Sequence, residues 1–266
     1  MIKTVEIKSI EEAERFLFEY RHDEKIGRLR SDYLYRGMVD SSYKLATSLR
    51  RNCKELQKSL EPSILRYFTK YGVIEDPQIE KSVWRQMIMG QHYGLPTRLL
   101  DWSHSSLIAL HFALAEPDVA NTGTRDAVVW RIDSKELASL LPENYRAALD
   151  KERTDVFSID SLTSIVPSLE QYDEDMGSKS MAIVEPPSSD QRIVNQYAYF
   201  SVIPLEMDDI EGFLDKNTEN TVRYVIDKSL CWDLRDILDQ MNISERIVFP
   251  GLDGLSKWIA RHYYVK

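Results

Sequence analysis

Apolar residues recur at helical spacing along much of the chain, and shorter alternating or continuous apolar runs fall between them. Val5 to Ile7 reads as a short strand. Ile10, Ala13, Phe16, Leu17 and Tyr20 mark one face of a helix, and Ser9 with Glu12 three residues on forms a capping box at its start. Tyr33 to Gly37 predicts a strand that ends at a glycine. Leu49 to Tyr71 predicts mainly helix, with Leu60, Ile64, Phe68 and Tyr71 along one face. Pro62 suits a first helical turn and so puts a break near Ser59 to Glu61, and Gly72 suits the left-handed position past the helix end. Further helices are predicted over Ile79 to Met89, Ser105 to Leu114, Lys135 to Leu141, Leu230 to Met241 and Leu252 to Tyr263. Strands are predicted over Thr97 to Trp102, Ala127 to Ile132, Arg192 to Ile203 and Val222 to Ile226.

Strands scattered among helices without regular alternation predict an α+β fold, taken as one domain over residues 1–266. Residues 154–189 are polar and acidic, carry Gly177-Ser178 and Pro186-Pro187, and read as a long loop or insertion. A hydrophobic content of 43% is ample for a core. The net charge of −9 argues against coating a polyanion by bulk electrostatics, but it leaves a local basic groove open. Two cysteines, Cys53 and Cys231, with no Cys-x-x-Cys and no His/Cys cluster, exclude a zinc ribbon, so no metal is expected. No apolar run approaches the roughly 20 residues of a membrane span, and the first residues lack a signal-peptide core. No membrane partner and a cytoplasmic location are the expectations. Walker, Rossmann and Gly-x-Ser-x-Gly signatures are absent.

The densest chemistry lies from Gln91 to Phe112, QHYGLPTRLLDWSHSSLIALHF. His92 and Tyr93 precede a Gly-Leu-Pro turn that would fix their direction. There His92 can bond a ribose hydroxyl and Tyr93 can stack on a base or nicotinamide. The plainer alternative is a histidine on a backbone carbonyl and a tyrosine in the core. Upstream, Arg36 stands at a strand end before Gly37, and its planar fork suits phosphate as well as a structural ion pair. Strand alternation puts Thr97, Leu99 and Asp101 on one face and Arg98, Leu100 and Trp102 on the other, so Asp101 is expected to pair with Arg36 rather than Arg98. Ser103 or Ser105 reads as a helix cap, and His111 as a core histidine. Arg192 and Gln196, four apart, share a face. Glu185 and Asp190 are loop acids, ordinarily solvated, and Phe249-Pro250-Gly251 reads as a structural turn.

Tyr35-Arg36-Gly37, the block QHYGLPTRLLDWS, and the later Arg192-Ile193, Gln196 and Phe200 together resemble the FRG-domain family, over roughly Ile10 to Ile259. The family's last motif has the form Gln-x-Gly-x-Phe, and Ala198 stands here at the glycine. The motif order also resembles, more loosely, ADP-ribosyltransferases of the Arg-Ser-Glu type. That resemblance implies a mixed or antiparallel split sheet flanked by helices and NAD or a related nucleotide as substrate. The reaction implied is ADP-ribosyl transfer or NAD glycohydrolysis, with a protein or nucleic-acid acceptor, in a toxin or phage-defence setting. The candidate catalytic residues are Arg36, His92, Asp101, Gln196 and Glu185. The candidate ligand-binding residues are Arg36, Gly37, Gln91, His92, Tyr93, Thr97, Arg98, Ser103 and Arg192. The Glu-x-Glu of those enzymes is missing; the corresponding stretch offers Asp190, Gln191, Arg192 and Gln196. A non-catalytic nucleotide- or nucleic-acid-binding module, and a nuclease or other hydrolase, stand as the competing readings. Arg36, His92, Tyr93, Asp101 and Gln196 are expected to line one cleft.

Overall fold

The computed structural model describes residues 1–266 apart from the side chain of Arg21. Its strands are β1 (Lys3–Ile7), β2 (Arg21–Asp23), β3 (Arg28–Arg30), β4 (Tyr33–Met38), β5 (Leu99–Ser103), β6 (Ala127–Asp133), β7 (Ala182–Val184), β8 (Ala198–Val202) and β9 (Val222–Ile226). Seven of them form one sheet in the order β1-β9-β6-β4-β5-β8-β7, while β2 and β3 make a separate hairpin. β1 runs parallel to β9, and every other neighbouring pair in the large sheet is antiparallel. The fold is α+β with a mixed sheet, as the scattered strands predicted.

The helices are α1 (Ile10–Leu17), α2 (Ser48–Cys53), α3 (Gln57–Gly72), α4 (Val83–His92), α5 (Ser106–Ala113), α6 (Ser134–Ser139) and α7 (Glu143–Glu152), followed by α8 (Ile159–Ile165), α9 (Leu169–Met176), α10 (Gln191–Gln196), α11 (Ile210–Asn217), α12 (Cys231–Gln240), α13 (Glu245–Val248) and α14 (Leu252–His262). No helix among the described residues is long and apolar enough to cross a membrane.

One seam organises the sheet. β4 pairs with β6 through six residues and β5 with β8 through five, but β4 meets β5 only at Tyr35 and Ser103. On one face the seam is bridged by a continuous core: Leu34, Leu100, Trp102, Val128 and Trp130 pack together across it. On the other face the core divides. Tyr33, Tyr35 and Val129 pack with α1, α5 and α12, whereas Leu99, Phe200 and Val202 pack with α4, α8 and α9. Strand alternation sends neighbouring residues of β6 to different cores: Val129 joins one, and Val128 and Trp130 the other.

Several expectations need correction. Residues 154–189 hold α8, α9 and β7 rather than a loop, because Ser158 and Ser168 cap helices whose Leu162, Leu169, Tyr172 and Met176 are buried. Arg192 to Gln196 is not strand: Asp190 accepts from the Arg192 N–H at 2.6 Å and starts α10, which ends at Tyr197 with φ 48°; only Ala198–Val202 is extended. The break in the Leu49 to Tyr71 stretch falls at Lys54, which has φ 50°, so Pro62 lies in the second turn of α3. Gly72 is the last residue of α3 and is not left-handed.

A buried ionic cluster ties the last three helices to α5. Glu245 accepts from Arg235 and, at 2.8 Å, from both Nε and Nη2 of Arg261, and Asp239 takes the rest of the Arg261 fork. Arg235 also donates to Nδ1 and the carbonyl of His111, at 3.1 and 3.2 Å. An arginine can only donate, so this His111 nitrogen is an acceptor and the ring is neutral. Burial, followed by the charge of Arg235, pushes the His111 pKa down to about 3. The unfolded chain therefore takes up a proton near pH 6.5 that the folded chain refuses until about pH 3, so stability falls as the pH drops through that window. A loss of about 2 kcal/mol is expected between pH 6.5 and 4.5, at about 1.4 kcal/mol per unit. Urea titrations at the two pH values check it: His111→Gln should flatten the dependence, and an unchanged slope in that variant would assign it to other groups.

Candidate functional site

Where the core divides at the seam, a cavity of about 260 Å³ opens. Its floor is the facing surface of the three central strands: Tyr35 and Gly37 of β4, Asp101 and Ser103 of β5, and Ala198 and Phe200 of β8. Helices supply the walls, with Gln91 and His92 from α4, Phe112 from α5, and Arg192, Ile193 and Gln196 from α10. Each helix is set by its cap. Ser82 starts α4 and Ser105 starts α5. α4 stops just past His92 because Gly94, at φ +85°, turns the chain so that the Leu95 N–H returns to Gly90 O at 2.8 Å.

Arg36 spans the seam. Its Nη1 donates to the backbone carbonyl of Asp101 at 2.7 Å and lies 3.3 Å from the Asp101 carboxylate, doing across the gap what a strand ladder would otherwise do. The expected Arg36–Asp101 pair is present, though the Asp101 side chain is 55% exposed. Gln91 Nε2 donates to both Asp101 oxygens at 3.0 Å. Thr97 donates to the Gln91 carbonyl oxygen at 2.6 Å and so fixes which end of that amide faces Asp101. On the opposite wall, Arg192 donates to His92 O at 3.2 Å and lies 5.0 Å from the Phe249 ring centroid. Ser103 Oγ donates to Gln196 O at 2.7 Å, and Gln196 Nε2 donates to Val248 O at 3.2 Å, which locks α10 between β5 and α13.

Two polar atoms here lack partners. The Nε–H groups of Arg36 and of Arg192 are buried without an acceptor, and both guanidiniums line the cavity. Such unpaired buried donors are costly and rare, and both belong to side chains that reach the cavity from opposite walls. His92 Nε2 is 3.5 Å from Asp190. Burial, helped by the charge of Arg192, pushes its pKa below the usual value against the pull of Asp190, so the neutral ring predominates near pH 7. Asp101 is the one carboxylate among the lining residues.

Of the five residues expected in one cleft, Arg36, His92, Asp101 and Gln196 line the cavity and Tyr93 does not. Tyr93 follows α4 in the turn, is 69% exposed, and touches His92 edge-on. Gln91, Gly37, Ser103 and Arg192 line it as well. Arg98 does not: it is buried between Glu61 and Asp173, with its whole fork engaged. Thr97 acts behind Gln91. Glu185 lies outside, exposed just past the end of β7. Sequence reasoning missed Phe112 as a wall and Phe249 as the surface under Arg192. Both read as ordinary apolar positions, and only the tertiary fold shows where they face.

Residues 31–122 match the model of the FRG domain. No curated protein and no solved structure matches the chain. The matched segment contains β4, α4, β5 and α5, and therefore Arg36, Gln91, His92, Asp101 and Phe112 of the cavity, while Arg192, Gln196 and Phe200 come from outside it. The match identifies an FRG domain in the chain, and part of the cavity is supplied by residues beyond the matched segment.

Proposed function

We propose that the cavity binds the nicotinamide-ribose end of NAD or a related nucleotide and promotes cleavage or transfer at the glycosidic bond. The observation that carries this reading is the pair of arginines, Arg36 and Arg192, that β4 and α10 bring to one cavity, where two cationic side chains call for anionic acceptors. A pyrophosphate supplies acceptors of that kind with matching charge. The size agrees with one half of a dinucleotide, since about 260 Å³ falls just below the usual 300–1,000 Å³ of small-molecule sites. Tyr35, Phe112 and Phe200 offer flat apolar surface for a ring, and Gln196, whose Nε2 is held by Val248 O, offers its amide oxygen to a ribose hydroxyl.

NAD supplies a cationic leaving group, whose departure with the bond electrons leaves positive charge developing on the ribose. Asp101 is the residue of this cavity that can stabilise such charge, and a fixed carboxylate in a partly closed site does so mainly in the transition state. Neutral His92 can accept the proton released by an attacking water or acceptor hydroxyl.

Asp101→Asn keeps an acceptor oxygen for Arg36 and Gln91 but removes the charge. It should lower nicotinamide release by about 100-fold or more while changing nucleotide affinity by less than about threefold. Turnover that survives the substitution would rule Asp101 out as the acid. Asp101 is already engaged by Arg36 and Gln91, which favours a second reading, a binding module that does not cleave. Wild-type protein that binds NAD in calorimetry but releases no nicotinamide with water or with protein or nucleic-acid acceptors would establish that one instead.

A further inference from the structure

The outer face of α3 carries a second surface, unrelated to the cavity in composition. Leu60, Ile64, Phe68, Leu95 and Pro96 form the floor of a shallow groove of about 670 Å³, and Tyr67 and Tyr71 stand along it, 50% and 65% exposed. Each tyrosine has a cation beside it. The Arg66 guanidinium lies 4.6 Å from the Tyr67 ring centroid and the Lys70 ammonium 5.2 Å from that of Tyr71. The same aromatic–cation unit thus recurs after four residues.

The charge around this surface runs against that of the whole chain. Arg50, Arg51, Lys54, Lys58, Arg66 and Lys70 fall within α2, α3 and the turn between them, in a protein of net charge −9. Of the two acids of the same stretch, Glu61 is buried under Arg98 and Glu55 is exposed 3.9 Å from Arg50, which pairs more closely with Asp208 at 2.8 Å. Lys54, Lys58, Arg66 and Lys70 are exposed and have no ion pair among the described residues. An apolar peptide would use the floor and leave these cations unanswered, and a second copy of so acidic a chain would approach against net repulsion. A polyanion with flat apolar faces uses both features.

We infer that the α3 face binds single-stranded nucleic acid, with bases against Tyr67, Tyr71 and the apolar floor and phosphates at Arg66 and Lys70. Aromatic side chains interleaved with cations are the usual means of holding an unpaired strand without sequence preference. Four residues of helix span about 6 Å. A ring can stack on a base only where that base's face is free of its neighbour, so an unpaired, locally unstacked strand fits this spacing and a duplex cannot offer its base faces here. The proposal is independent of the NAD reading. Leu95 and Pro96 of the groove do, however, belong to the turn that directly follows Gln91 and His92 of the cavity.

The test is fluorescence anisotropy of labelled oligothymidine and oligouridine on the whole chain without NAD, so that failure here leaves the cavity reading untouched. Saturable binding is expected, with a duplex of equal length weaker. Tyr67→Ala with Tyr71→Ala should weaken it by more than about tenfold, from the loss of two stacked bases. Arg66→Gln with Lys70→Gln should reduce the steepness of log affinity against log salt by about 1.4, at about 0.7 per phosphate contact on a single strand. All four side chains are exposed, so the variants should keep the wild-type melting point. If the tyrosine pair does unfold, Tyr71→Ala alone carries the test. Absence of binding, binding equal in both double variants, or a dimer in light scattering that the tyrosine changes dissolve would overturn the assignment.

Discussion

Replacing Gly37 with alanine is expected to destabilise the protein by about 3 kcal/mol, the upper end of the overpacking range, and to disrupt the cavity with it. A Cβ at this position would lie 1.9 Å from Ala109 O and 2.4 Å from Ala113 N, both backbone atoms of α5. No rotamer change can relieve a contact with backbone, so α5 must move off the sheet. That helix holds Ala109, Leu110 and Ala113 in the core and Phe112 in the cavity wall, so the movement opens both at once. The glycine of the Tyr-Arg-Gly motif is thus explained by close helix–strand approach, since its φ is not positive. Urea denaturation measures the change. A Gly37→Ala protein within about 1 kcal/mol of wild type would mean that α5 is less tightly seated than these distances require.

Glu245→Ala should have the largest effect of any single substitution, about 3–5 kcal/mol. Glu245 is the shared partner of Arg235, which is fully buried, and Arg261, which is 7% exposed. Removing it leaves two guanidiniums close together in the interior with no carboxylate between them. Burial acts to raise the Glu245 pKa, but the hydrogen bonds from Arg261 and the charge of Arg235 outweigh it and hold the value at about 2. Its contribution is therefore complete above pH 4.5 and is lost as the pH falls toward 2, a window that overlaps only the lower end of the His111 one. The damage should also reach the cavity, because the same short segment supplies Val248 O to Gln196 and the Phe249 ring to Arg192. A folded Glu245→Ala protein that keeps wild-type nucleotide affinity would separate the two roles.

The elements legible in the sequence were those with an unambiguous period or cap. Ser9 does accept from the Glu12 N–H, and the continuous apolar run of β6 is buried on both faces. The misread elements had conflicting signals. Arg192 to Val202 is rich in β-branched and aromatic residues, which favours strand, whereas the decisive signal was Asp190 as a helix cap. Arg192 and Gln196 were nonetheless placed correctly on one face, since a spacing of four brings residues together in a helix as well as a strand. Arg98 illustrates the limit. Its partners, Glu61 and Asp173, lie 37 and 75 residues away, and no local pattern connects them. The same holds for the cavity: Arg36, His92, Asp101 and Gln196 are identifiable by type and context, but the aromatic wall from Phe112 emerges only when α5 is folded against the sheet.

The single contact between β4 and β5 has a mechanical consequence. With one residue pair and the Arg36 bridge joining them, the two strands form a hinge line inside the sheet, open on the cavity side and backed by core on the other. A molecule seated there touches both halves, so part of its binding energy goes into clasping them. Occupancy should then raise the melting temperature by mass action. It should also slow hydrogen exchange at amides of β4 and β5 that the molecule never touches.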